Sequence, residues 1–301
     1  MDRAGRRRGA PIPSRRHRIG LGGWAIGIVR YLVLIVLAAS FLLPFYWMVT
    51  SALKSDAEIY RVPPIWIPPH PRWANFPNAW ATSHFSLYLV NTVVRYAVPA
   101  TLATVLSSAV VAYGFSRIQW PGRDALFSIC LATMMVPAAV TLVPLFITFR
   151  RLGWVNTYLP LVVPHLSGGP YYIFMLRQFF LSIPEELSDA ARIDGAGEFR
   201  ILLRIILPLA KSALTVVALF QFMGAWNDYM GPLIYINDGS KFPVALGIQN
   251  LNQAIGTQGY FKNAYPYLMA VSALVAAPIV IAFFISQRTF IEGISLTGLK
   301  G

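Results

Sequence analysis

Six long apolar stretches dominate this chain, and a polypeptide that carries them cannot fold as an ordinary water-soluble globule. They run from about Trp24 to Ser51, Leu87 to Ser116, Ala125 to Phe149, Tyr158 to Leu181, Leu209 to Ile236 and Tyr265 to Gln287. About twenty apolar residues in a helix cross the hydrocarbon core of a bilayer. Helices also satisfy their own backbone groups where no water is available. The expected fold is therefore all-α, a polytopic membrane protein with six transmembrane helices. Composition agrees: only 12% of the residues are charged, about half the share usual in soluble domains.

The net charge of +13 fits either a nucleic-acid surface or the charge bias of a membrane protein. Its distribution decides. Arg3, Arg6, Arg7, Arg8, Arg15, Arg16 and Arg18 crowd the first eighteen residues, and the other cations are spread thinly between apolar runs. No nucleic-acid partner is expected. With the N-terminus inside, about two thirds of the Lys and Arg residues fall on the inner side, so the positive-inside rule puts both termini in the cytoplasm. The apolar run from Ile26 to Val49 is too long for the core of a signal peptide and is read as a retained span. The expected organisation is an Arg-rich tail (1–23), a six-helix membrane domain (24–287) and a C-terminal tail (288–301). The N-terminal tail either binds anionic headgroups or fixes topology.

Several spans contain proline: Pro137 and Pro144 in the third, Pro160, Pro164 and Pro170 in the fourth. Each removes a backbone donor, which makes it either a packing irregularity or a hinge lining a polar path. The outer loop from Leu53 to Ser86 is too rich in Pro and Trp for a regular helix and reads as an extended interfacial segment. The outer loop from Asn237 to Asn263 is long enough to touch a partner. The single cysteine, Cys130, excludes an internal disulfide, and the four scattered histidines form no metal-ligand pair.

The inner loop 182–208 is built differently. Ser182 can act as an N-cap, with Glu185 completing a capping box and Pro184 in the first turn. A short helix to about Arg192 should end at Asp194-Gly195, where glycine supplies a positive φ. A second helical stretch should stop near Pro208. Helix, glycine turn, helix, with the small residues Ala190 and Ala191 on the surface, is the shape of a docking element.

The pattern Asp189-Ala190-Ala191, three residues, Gly195, nine residues, Ile205, one residue, Leu207-Pro208 closely resembles the EAA motif of ABC importer permeases. Asp189 stands where that family usually has Glu, which keeps the charge and shortens its reach. Trp226-Asn227-Asp228-Tyr229, Lys54-Ser55, Gln287-Arg288-Thr289-Phe290 and Gly298-Leu299-Lys300-Gly301 resemble the carbohydrate-uptake, maltose-permease-like branch. The similarity covers nearly all of the chain after Tyr31. It implies the type I importer permease fold, a bacterial plasma-membrane location and alternating access driven by ATP.

By this resemblance Glu185, Asp189, Ala190, Ala191, Asp194, Gly195, Ile205, Leu207 and Pro208 would form the ATPase-coupling element. The implied partners are a second permease subunit, two cytosolic ATPase subunits, an extracytoplasmic solute-binding protein and a sugar. The chain has no phosphate-binding loop. It is thus expected to be a non-catalytic subunit without a cofactor, the partner ATPases binding ATP and Mg. The tail from Leu296 to Gly301 and the loop from Asn237 to Asn263 are the corresponding candidates for contact with the ATPases and the binding protein.

Intramembrane polar residues are costly and often functional. Asn91, Arg95, Gln221, Asn227 and Asp228, with Trp226 and Tyr229 as stacking surfaces, are candidates for the substrate path. Alternatively, Arg95 and Asp228 snorkel to the interface while Trp226 and Tyr229 join the aromatic belt. Another solute, such as a polyol or glycerol-phosphate compound, remains an alternative to a sugar. An ion-driven transporter would show internal repeats and paired midplane carboxylates, and neither is present in the sequence.

Overall fold

A computed structural model describes residues 21–82, 84–256 and 264–298. The Arg-rich tail ahead of residue 21, part of the 237–263 loop and the last three residues lie outside the described residues. The chain divides into two compact units, residues 1–47 and 48–301. In the first, the described residues belong to α1 (Leu21–Ala52), whose last turn enters the second unit.

The described residues are helical with no strand among them. After α1 come α2 (Asn75–Thr82) and α3 (Phe85–Ser116), and among the described residues three helices are long and apolar enough to cross a membrane: Gly27–Ala52 within α1, Phe85–Ser116 and Tyr265–Gln287. The expected third span is instead two helices, α4 (Arg123–Ala132, extended by a 3₁₀ turn to Met135) and α5 (Ala138–Arg151), which meet at 97°. Pro137 is the cause. The residue before a proline is pushed out of the helical region, and Val136 is extended at φ −76°, ψ 118°.

The expected fourth span is likewise interrupted. A short turn, α6 (Leu159–Val162), continues as a 3₁₀ turn to Ser167, and α7 (Pro170–Ser182) starts anew after Gly168, whose φ is +78°.

The loop helix α8 (Glu186–Ile193) follows. Next, α9 (Glu198–Leu209) and α10 (Lys211–Asn227) meet at 82° at Ala210. The helical stretch thus ends at Leu209, one residue past Pro208. Proline cannot bond the carbonyl four residues back and its ring crowds it. The preceding turn, Leu202–Ile206, is wound as a π-helix, a rare form that occurs mostly as single turns inside α-helices. A further break at Asp228 precedes α11 (Met230–Tyr235). The expected fourth stretch, interrupted at Gly168, is not among the long apolar helices or bent pairs found in the described residues. Long helices and bent pairs together give up to five crossings by length and composition. The last two helices are α12 (Val244–Gly256) and α13 (Ala264–Gly298).

Phe85–Ser116 is the central helix of the second unit. Ala97, Ala100, Ala103, Ala109 and Ala112 are buried along one face, while Val94, Val98, Leu102, Leu106 and Val110 form an exposed stripe at four-residue spacing. Lipid supplies no hydrophobic drive between helices, so close packing of small residues does the work. This helix packs on α7 and α10 through that alanine face. Around Tyr113, Leu176, Phe180, Ile201 and Val217 a buried cluster fills the end of the bundle next to α8. Two further clusters, around Phe85, Trp226 and Val271 and around Tyr96, Leu161 and Tyr235, fill the opposite end.

Candidate functional site

The loop 182–208 leaves the bundle by a different route from the expected capping box. Ser182 ends α7, and its hydroxyl donates to the Phe179 carbonyl at 2.7 Å. Glu185 occupies the N-cap position of α8 without a side-chain bond. What fixes the entry is Arg117. This residue is 5% exposed, and its guanidinium donates to the carbonyls of both Phe180 and Ile183. Ile183 is buried and extended, so the chain turns at a plugged point and not at a side-chain cap.

The far end of α8 matches the sequence expectation. The amides of Asp194, Gly195 and Ala196 donate back to the Ala190, Arg192 and Ala191 carbonyls at 3.0, 3.0 and 2.9 Å. Gly195 has φ +80°, and a Cβ built there would meet nothing within 4 Å. Backbone conformation alone therefore calls for glycine at this position.

The motif positions separate into two groups. Glu185, Asp189, Ala190, Asp194 and Gly195 are exposed, and Ala191 is half-buried against the core. Ile205 and Leu207 also pack against that core, while Pro208 is exposed at the bend. The distal positions thus seat the loop and the proximal ones present it. Leu187, Ala190 and Ile193 follow one another at three-residue spacing along the open side of α8. Ile193 is 87% and Phe199 67% exposed. Beside them lies a concavity of about 560 Å³ lined by Gly195, Gly197, Phe199, Arg200, Leu203 and Arg204.

Under this surface runs a chain of charged contacts that sequence reading did not single out. The Arg192 guanidinium donates to Asp189 at 2.7 Å and to Glu198 at 2.8 Å. The Tyr113 hydroxyl donates to the other Glu198 oxygen at 2.5 Å. The hydrogen bond between Arg192 and Glu198 holds the carboxyl below and the guanidinium above their ordinary ranges. Only Arg192 and Glu198 at six-residue spacing across a glycine turn hinted at this pairing.

At the opposite end the proposed path residues do not converge on one surface. Asn91 is fully buried, and its amide donates to the Ser240 and Phe242 carbonyls at 2.9 and 3.0 Å. Its neighbour Thr92 accepts from the Val244 amide at 2.8 Å. Both lie in a π-helical turn, Asn91–Ala97, and pin the segment 240–244. Asn156, at φ +64°, fastens the residues just ahead of that segment by accepting from the Asn237 and Asp238 amides. Gln221 and Trp226 are buried, Trp226 beside Phe222 with ring centroids 5.7 Å apart.

Asp228 sits at the break after α10, accepting from the Tyr96 hydroxyl at 2.5 Å and the Gly231 amide at 3.0 Å. Asn227 and Arg95 are exposed and Tyr229 is half-buried. Gly231 is required by space: a Cβ there would collide with the Asp228 carboxylate and lie 2.9 Å from Leu161 Cδ2. Gly231→Ala is expected to displace Asp228 from Tyr96 and cost about 1–3 kcal/mol, the usual range for overpacking. A lowered melting midpoint of the purified complex would register this loss, and an unchanged midpoint would refute the packing argument.

Residues 106–295 match the family described as "Binding-protein-dependent transport system inner membrane component". The chain is 32% identical over 304 residues to the probable ABC transporter permease protein YurM of Bacillus subtilis (strain 168), covering 97% of this chain and 96% of that protein. It is 29% identical over 268 residues to the diacetylchitobiose uptake system permease protein NgcG of Streptomyces coelicolor, covering 89% and 87%. A crystal structure of a bacterial ABC transporter involved in the import of the acidic polysaccharide alginate contains a chain of the same fold. Its TM-score is 0.77 at 23% identity, over 93% of this chain and 99% of that one. Such permeases are non-catalytic membrane components. The chain belongs to the binding-protein-dependent inner-membrane permease family of ABC importers, multi-pass membrane subunits that work with ATPase and solute-binding partners.

Proposed function

We propose that this chain is one half of a heterodimeric permease that imports a sugar, with both termini in the cytoplasm and α8 as the coupling helix. Residues 1–23 and 288–301 are then cytoplasmic tails, and 24–287 form the membrane domain. The observation that carries the coupling role is the exposed apolar edge of α8. Burying a side chain the size of Ile193 stabilises by about 1.5–3 kcal/mol. An isoleucine 87% exposed beside Phe199 and an open concavity suits a partner that covers it. Asp189, Ala190 and Gly195 lie on the same loop, where the EAA pattern would place the ATPase contact. ATP and Mg bind on two cytosolic ATPase subunits, and this chain holds no cofactor. ATP drives the cycle because it binds the two states of the complex unequally.

The sugar reading rests on the Trp226-Asn227-Asp228-Tyr229 segment and on likeness to a diacetylchitobiose permease. Among the path candidates, Asn227, Tyr229 and Arg95 keep accessible polar or aromatic surface, whereas Asn91, Gln221 and Trp226 are buried. The test is ATP hydrolysis by the reconstituted complex with its binding protein, across a panel of mono- and oligosaccharides plus glycerol phosphate. Stimulation by one sugar is the expected result. Stimulation by glycerol phosphate alone would replace the sugar reading with the phosphorylated-solute one.

A further inference from the structure

Both ends of the α8 loop are held by the same face of one helix. On Phe85–Ser116 and the residue that follows it, Tyr113 and Arg117 are four apart and so share a face. Arg117 binds the loop where it begins, at the Phe180 and Ile183 carbonyls. Tyr113, 3% exposed, binds it where it returns, at Glu198. Between these two points Arg192 ties the last turn of α8 to Glu198 and to Asp189. Backbone continuity connects α8 only to α7 and α9, so these side-chain bonds are an additional fastening to a helix that ends more than sixty residues earlier.

The geometry points to a bracket. We infer that Tyr113, through Glu198 and Arg192, is a positioning residue that makes the Phe85–Ser116 helix move with α8 when the ATPase moves it. The inference rests on the coupling role proposed above and adds the route. That helix packs on both α7 and α10. A displacement delivered at α8 therefore reaches the centre of the bundle directly, and need not pass only through the bends at Ser182–Glu186 and Ala210. The π-helical turn Asn91–Ala97 at the other end of the same helix holds the 240–244 segment through Asn91 and Thr92. One helix thus joins the loop end to the opposite end of the bundle.

Tyr113→Phe keeps the buried ring and removes only the hydroxyl. In the assembled transporter we expect basal ATP hydrolysis to continue while uptake per ATP falls about tenfold, within the ordinary size of a coupling between sites. Hydrogen exchange across residues 186–198 should rise, with the rest of the chain unchanged. Glu198→Gln should also lower uptake per ATP, and the double variant should be no worse than the more severe single one, because both break one chain of contacts. An unchanged uptake per ATP, or a proportional fall of both activities with a lowered melting midpoint, would overturn the inference. If the wild-type complex hydrolyses ATP without needing this chain, the coupling role itself fails. Exchange that does not rise in Tyr113→Phe removes the bracket while leaving that role standing.

Discussion

Replacing Ile193 by aspartate is expected to abolish ATP-driven uptake while leaving the chain folded in the membrane. The side chain is 87% exposed at the end of α8 and supports no buried cluster, so the substitution removes nothing from the core. In the proposed complex the same position is covered. An aspartate there would have to be desolvated without a partner, which costs several kcal/mol in real proteins. The loss of apolar burial adds to that cost. Together they exceed the roughly 4 kcal/mol that separates a thousandfold change in affinity. The expected outcome is a chain present at normal level that fails to retain the ATPase on purification. Full retention with full uptake would mean that the open edge of α8 faces solvent throughout the cycle.

The second large effect is structural. Arg117→Ala removes a buried guanidinium from two carbonyls at the end of α7: that of Phe180 keeps its bond from the Ile183 amide, and that of Ile183 loses the donor Arg117 supplies. A hydrogen bond to a charged group contributes about 1.5–3 kcal/mol, and a buried acceptor left unsatisfied costs a comparable amount. A loss of roughly 3–5 kcal/mol is expected, enough to deplete the assembled complex from membranes. Arg117→Lys should lose less, since an ammonium keeps the charge and three N–H donors but reaches the two carbonyls from a shorter side chain. Quantifying membrane-inserted complex and its thermal unfolding for both variants checks this. Equal stability of Arg117→Ala and wild type would show that another group caps α7.

Much of the architecture was legible because lipid imposes a simple demand. Apolar runs near Trp24, Leu87 and Tyr265 correspond to uninterrupted helices, and the last of these helices continues past the expected end at Gln287 to Gly298. Asp194-Gly195 was legible as a helix end because a positive φ is a local property of glycine. The bends were only half legible. Pro137 breaks its helix at 97°, whereas Pro144 lies inside α5 without breaking it. The difference depends on which neighbours satisfy the freed carbonyl, and a sequence does not name them.

The contacts that were not legible are the long-range ones. Ser182 looked like a cap, but Arg117, far earlier in the chain, sets the turn instead. The NH2 group of Asn91, a candidate for the substrate path, donates to carbonyls 149 and 151 residues away. A buried polar residue in a span must find a partner, and nothing local reveals whether that partner is solute or backbone. Tyr113 lies 85 residues ahead of Glu198, and only the folded arrangement brings the two together.

The most direct test of the coupling role is a photo-crosslinking residue at position 193 in the complete transporter in native membranes, with the captured partner identified by mass spectrometry. Capture of the ATPase subunit, with a yield that changes between nucleotide-free and ATP-bound states, is the result expected of a coupling helix. Capture of the solute-binding protein, or of lipid alone in both states, would place α8 on the wrong side of the membrane or away from the ATPase and would contradict it.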